Sequence, residues 1–103
     1  MIFRQGDVLI MSIDAIDEEV KVAELDQGRV VLAYGEATGH AHAIKDDNAT
    51  LLRASNDNLY LRVVKSPVAL VHEEHNKINI PPGDYRIIHQ REYHPEEIRR
   101  VAD

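Results

Sequence analysis

Short apolar segments separated by polar turn residues run along almost the whole chain. The segments are rich in Val and Ile, whose branched side chains favour extended strands. They lie at residues 7–13, 20–25, 29–36, 40–44, 50–53, 59–64, 68–73, 77–80 and 85–90. Apolar residues at helical spacing are rare. The pattern therefore predicts an all-β protein of short antiparallel strands.

Turn-forming residues mark the boundaries between these segments. Examples are Asp26-Gln27-Gly28 and Pro81-Pro82-Gly83, in which Asp, Pro and Gly favour tight changes of chain direction. Nine short strands in 103 residues fit one domain, residues 1–103, folded as a small β-barrel or a two-sheet β-sandwich.

Two segments leave their secondary structure open. Residues 14–24 could hold a helical turn, because Ile16, Val20 and Ala23 recur at helical spacing. Pro95 and the two glutamates after it fit the first turn of a short C-terminal helix, whereas residues 98–102 fit a final strand equally well.

Composition narrows the chemistry that this domain can perform. The chain has no cysteine, which excludes disulfides, thiolate metal ligands and a cysteine nucleophile. With one Phe and no Trp, the core must consist mainly of aliphatic side chains. No apolar run approaches the roughly 18 residues of a membrane span, so we expect a cytoplasmic protein.

The net charge of −6 opposes the phosphate attraction that most nucleic-acid-binding proteins use. A local group of basic and aromatic residues nevertheless supports the hypothesis that the protein binds single-stranded nucleic acid. This hypothesis ranks below the two that the histidines suggest. That group is Arg86, Arg91, Tyr93, Arg99 and Arg100. Glutamates are interleaved with the arginines, which favours a solvated surface of mixed charge.

Histidine is the most informative residue type, and the chain has six of them. His40 and His42 are two residues apart, so on a strand both imidazoles point to the same face. Such a pair can bind one metal ion if a neighbouring segment supplies a further ligand. His72 and His75 are the candidates for that role.

Carboxylates near these histidines could orient a ligand, coordinate the ion directly or act as a general base on metal-bound water. We predict Glu36 and Glu73 as candidate catalytic residues, beside a metal site of His40, His42, His72 and His75. Without thiolates, the expected cofactor is a divalent ion, Zn²⁺, Fe²⁺, Mn²⁺ or Ni²⁺. Surface histidines that bind nothing are the alternative for each residue taken singly.

Two functional classes follow from these residues. The first is a metal-binding protein, with hydrolytic or oxidative chemistry on a small-molecule substrate as one use of the ion. The second is a non-enzymatic interaction module of a phage or mobile element, with the histidines in a polar interface. Whether the protein is an enzyme stays open, and exposed edge strands fit a homodimer.

The segment Gly39-His40-Ala41-His42, with a later Pro81-Pro82-Gly83 turn followed by His89, resembles the cupin pattern. That resemblance implies a metal bound inside a small β-barrel, with His40 and His42 as ligands. The segments Gly39 to His42, His72-Glu73-Glu74-His75 and Gln90-Arg91-Glu92-Tyr93 are also similar to a family of small uncharacterised bacterial and phage proteins. This second resemblance implies no activity.

Overall fold

The computed structural model describes residues 1–35 and 39–90, and its regular elements are ten β-strands. They are β1 Ile2–Gln5, β2 Val8–Ile13, β3 Val20–Val22, β4 Val30–Tyr34, β5 Ala41–Ile44, β6 Ala49–Ala54, β7 Leu59–Val63, β8 Val68–Leu70, β9 Ile78–Ile80 and β10 Gly83–His89. The predicted all-β class is confirmed. Nine of the strands overlap the predicted segments, and β1 was not predicted.

Six of the strands form one antiparallel sheet in the order β1-β2-β10-β7-β6-β3. The described part of this sheet is open, with β1 and β3 at its edges, so the barrel alternative is wrong. The other four strands form two antiparallel hairpins, β4–β5 and β8–β9. An isolated bridge between Ala43 and Val71 joins the hairpins to each other.

The main core lies where the two hairpins pack against the six-stranded sheet. Ile10 and Leu61 of the sheet are fully buried in the same cluster as Ile44, Leu70 and Ile80 of the hairpins. Burial of this many aliphatic side chains is the principal favourable contribution to folding. The packing also fixes the ends of β5 and β8, from which the histidine-bearing segments extend.

The segment at residues 14–19 has no helical turn, so that alternative is wrong. Ile16 instead packs on the second, smaller cluster of Leu52, Ala54 and Tyr60. Glu18 accepts hydrogen bonds from the hydroxyl of Tyr60 and the side-chain amide of Asn58. The helical spacing therefore has another origin: Ile16 and Val20 pack on this smaller cluster, whereas Ala23 packs on the main core.

Several predictions fall on residues 91–103, which lie outside the described residues. They are the short helix after Pro95, the alternative strand at 98–102 and most of the predicted basic group. Within residues 1–35 and 39–90, no helix has the length and apolar character needed to cross a membrane.

Candidate metal centre

The bridge between Ala43 and Val71 brings the two histidine segments together. Both backbone hydrogen bonds of this antiparallel pair form, at 3.0 Å and 2.9 Å. Since antiparallel strands run in opposite directions, the next residue pair in register is His42 with His72. Their ring centroids are 4.3 Å apart. The two segments, about 30 residues apart in sequence, therefore face each other across one pair of backbone hydrogen bonds.

Two contacts made by side chains lie beyond this isolated bridge. The backbone N–H of Ala41 donates to Oε1 of Glu73 at 3.0 Å. One step further, Nδ1 of His40 lies 3.6 Å from Oε2 of Glu74. These side-chain contacts place both carboxylates at the His40 end of the cluster.

Four imidazoles form a compact group, which we call the histidine cluster: His40, His42, His72 and His75. His72 is at its centre, with ring-centroid distances of 5.6 Å to His40, 4.3 Å to His42 and 4.7 Å to His75. Its contacts reach every other ring of the cluster.

Three residues place potential ligand atoms close enough for one ion. Among the described residues, His40, His72 and Glu73 offer ligand atoms that all lie within 4.8 Å of one another. Two imidazoles and a carboxylate form a donor set used by catalytic zinc and by non-haem iron. Such a set keeps a coordination position open for water or a small molecule.

His42 lies deeper than the other rings, with 3 % of its surface exposed. Burial, with repulsion from His72 as the next cause, lowers the pKa of His42 to about 4. The ring is therefore neutral at physiological pH, as a metal-ligating imidazole must be. Its Nδ1 lies 2.8 Å from Oε1 of Gln5.

Three further predicted site residues are Glu36, Glu73 and His75. Glu36 lies within residues 36–38, outside the described residues. The hydrogen bond from the Ala41 N–H, the largest cause, lowers the pKa of Glu73. A lowered pKa favours the charged carboxylate, which suits Glu73 to binding a cation more than to accepting a proton. His75 is exposed and lies at the edge of the cluster.

His72 makes one hydrogen bond that a metal ion would have to replace. The backbone N–H of Glu74 donates to Nδ1 of His72 at 3.0 Å, so the proton of the neutral ring is on Nε2. An ion on Nδ1 would displace the Glu74 N–H. An ion on Nε2 would move the ring proton to Nδ1, opposite that same N–H. In both cases the hydrogen bond from the Glu74 N–H to Nδ1 of His72 is lost, so the amide resonance of Glu74 should change when metal binds.

Two glycines leave room for the cluster. A Cβ atom at Gly6 would lie 2.9 Å from Nε2 of His75, and one at Gly35 would lie 2.9 Å from Cβ of His40 and 3.0 Å from Nε2 of His72. No side chain heavier than hydrogen fits at Gly35 unless His40 moves. Sequence reasoning missed this role, because a glycine next to a turn has more common explanations.

We expect Gly35→Ala to displace His40 and His72 and to cost about 1 kcal/mol of stability, the lower end of the cost of overpacking. Histidine ring resonances in NMR spectra and urea unfolding measure the two effects. Gly28→Ala is the matched control, because Gly28 has a φ of 76° but open space around it. Gly28→Ala should lose stability through backbone strain and leave the histidine resonances in place. Unchanged resonances in Gly35→Ala would contradict the steric argument.

An open groove of 1160 Å³ lies beside the site, along β4 and β10. Its described lining includes Asp7 and His89 but none of the clustered histidines. Ala33, also in this lining, lies opposite His42 in the β4–β5 register, which places this part of the groove near the cluster. Arg86, predicted as part of a basic surface, donates to Asn58 at 2.9 Å and lies over the Tyr60 ring, so its guanidinium serves contacts within the protein.

The fold and site together define an all-β protein with a histidine cluster between two hairpins. A family model described as Domain of unknown function (DUF8820) matches residues 4–90, and the chain belongs to this family. No curated protein matches the chain, and no solved structure matches it. The family match agrees with the predicted membership of an uncharacterised family. A bacterial or phage source stays a prediction, as does the cupin resemblance apart from the barrel that it implies, which the open sheet contradicts.

Proposed function

We propose that this protein binds one divalent transition-metal ion in the histidine cluster. The observation that carries the proposal is the convergence of His40, His72 and Glu73, whose ligand atoms lie within 4.8 Å of one another. Imidazole nitrogens favour zinc, iron, nickel and copper over magnesium and calcium. His42 contacts His72 and is the nearest further imidazole, whereas His75 lies at the periphery.

The open coordination position gives the ion a chemical use. Three protein ligands leave room for a water molecule, which the ion would make more acidic, or for a small molecule, which it would polarise. The nearby groove offers space for a substrate, which we expect to be a small molecule of the cytoplasm. A purely structural zinc site is less consistent with the chain, because such sites usually include cysteine.

Titration of tag-free, metal-stripped protein tests this proposal. We expect about one Zn²⁺ or Co²⁺ per chain by calorimetry, with Co²⁺ absorption in the visible region that changes when azide is added to the open position. The amide resonance of Glu74 should shift on Zn²⁺ binding, because its hydrogen bond to Nδ1 of His72 is replaced. An excess of Mg²⁺ should not compete.

Glu24→Gln is a suitable charge control for Glu73→Gln, because Glu24 is an exposed glutamate just after β3, outside the cluster. Glu24→Gln should bind Zn²⁺ like the wild type, whereas Glu73→Gln should bind it more weakly. Absence of binding by the wild type after exposure to zinc, iron, manganese and nickel would overturn the proposal. The interaction-module hypothesis would then take its place.

A further inference from the structure

Gln5 is a buried polar residue whose side-chain amide is fully engaged. It is 2 % exposed and lies at the end of β1. Its Nε2 donates one hydrogen bond to the carbonyl of Leu70 at 3.1 Å and a second to the carbonyl of Asn76 at 3.0 Å. Both N–H donors of the amide are therefore used.

These two bonds fix which way the amide faces. With nitrogen and oxygen exchanged, Oε1 would face two carbonyl oxygens, and no proton would lie between the acceptors. The observed orientation directs Oε1 at Nδ1 of His42, 2.8 Å away. An amide oxygen can only accept, so Nδ1 of His42 carries the proton. The lone pair of the neutral ring is then on Nε2.

The carbonyls that hold Gln5 also flank the second histidine segment. Leu70 ends β8 and Asn76 precedes β9, so His72 and Glu73 lie between them. The side chain of Gln5 thus contacts His42 through its oxygen. Through its nitrogen it contacts the backbone before and after the segment that carries His72. Gln5 therefore links His42 to the backbone on either side of His72 and His75 through hydrogen bonds at 3.1 Å or less.

Metal-ligating histidines generally donate their second ring N–H to an oxygen acceptor, which sets the tautomer and the ring orientation. Oε1 of Gln5 is such an acceptor. We propose that His42 adds its Nε2 to the three converging donors, and that Gln5 is the positioning residue that holds His42 in the tautomer this requires. This inference rests on the proposed function, because it adds a ligand to that metal centre and names the group behind it.

Nitrogen NMR of ¹⁵N-histidine protein tests the tautomer directly. In the metal-free wild type, His42 should show a proton on Nδ1 and none on Nε2. On addition of Zn²⁺, the Nε2 resonance should move and the Nδ1 proton should remain. A proton on Nε2 in the metal-free protein, or coordination through Nδ1, would overturn the inference without any variant.

Two substitutions separate positioning from a general structural role. Gln5→Leu removes the acceptor and should weaken Zn²⁺ binding by roughly 10–100-fold. Gln5→Glu keeps an oxygen opposite Nδ1 of His42 but loses the two donated hydrogen bonds and adds a buried charge. A structural role alone predicts that Gln5→Glu binds Zn²⁺ no better than Gln5→Leu, whereas positioning predicts that it retains much more of the wild-type affinity.

The outcomes distinguish this inference from the function on which it rests. If the wild type binds no metal, the proposed function fails and the role of Gln5 fails with it. If the wild type binds Zn²⁺ and Gln5→Leu binds it equally well, the inference alone fails. If Gln5→Leu does not fold, the tautomer and the ligating nitrogen of the wild type still decide the question.

Discussion

His72→Ala should weaken Zn²⁺ binding by at least about 100-fold, since loss of a ligand should cost more than loss of a group behind it. His72 belongs to the three residues with converging ligand atoms, and it contacts each of the other imidazoles. Its removal therefore takes away a donor and the ring against which His40 and His42 pack. Calorimetric titration of the metal-stripped variant measures the change.

His75→Ala is the natural comparison for this variant. It removes the same side chain from the same segment, but His75 is exposed and lies outside the set of converging ligand atoms. We expect it to retain far more affinity than His72→Ala. Equal losses would favour the four-histidine site predicted from the sequence over the site of two histidines and a glutamate. Urea unfolding in the presence of a chelator checks that both variants are folded.

Metal-free protein should lose about 2 kcal/mol of stability between pH 8 and pH 5 through His42 alone. In the unfolded chain, His42 takes up a proton as the pH falls through 6.5, whereas burial holds the pKa of the folded state at about 4. The contribution is therefore complete above pH 6.5 and declines as the pH falls from there to about 4. In this range the unfolded state binds more protons, so acid favours unfolding.

The other histidines also titrate, so the effect of His42 has to be isolated by difference. His42→Gln keeps an amide donor opposite Oε1 of Gln5 and has no titrating ring. Urea unfolding of both proteins at pH 8 and pH 5, with chelator present, gives the two changes in stability. The decrease should be smaller in His42→Gln by about 2 kcal/mol. Parallel decreases would mean that His42 is protonated in the folded state.

Most strands could be predicted from the sequence, but the exceptions have physical causes. β1 was missed because its pattern is inverted: Ile2 is exposed and the polar Gln5 is buried. It is a strand because it pairs with β2, a tertiary effect that no local pattern shows. The predicted strand at 68–73 ends early, at Leu70, because Val71 pairs with Ala43 rather than with β9.

The candidate site was predictable in part for similar reasons. The spacing of His40 and His42 correctly indicated that both rings lie on one side, since both contact His72. Nothing in the sequence showed that Glu73 rather than His75 would converge with His40 and His72, because that depends on the register set by the Ala43–Val71 bridge. Gln5 carries no local signal, as its role exists only once β1 meets the β8–β9 hairpin.

The separation of the two histidine segments along the chain has a consequence for folding kinetics. Between His42 and His72 the chain passes through β6 and β7, which belong to the large sheet. The cluster therefore cannot assemble before this long loop has closed. A contact that forms after the rate-limiting step slows unfolding and leaves the folding rate unchanged. If the cluster closes after that step, a bound ion would lengthen the lifetime of the folded chain and leave its folding rate unchanged.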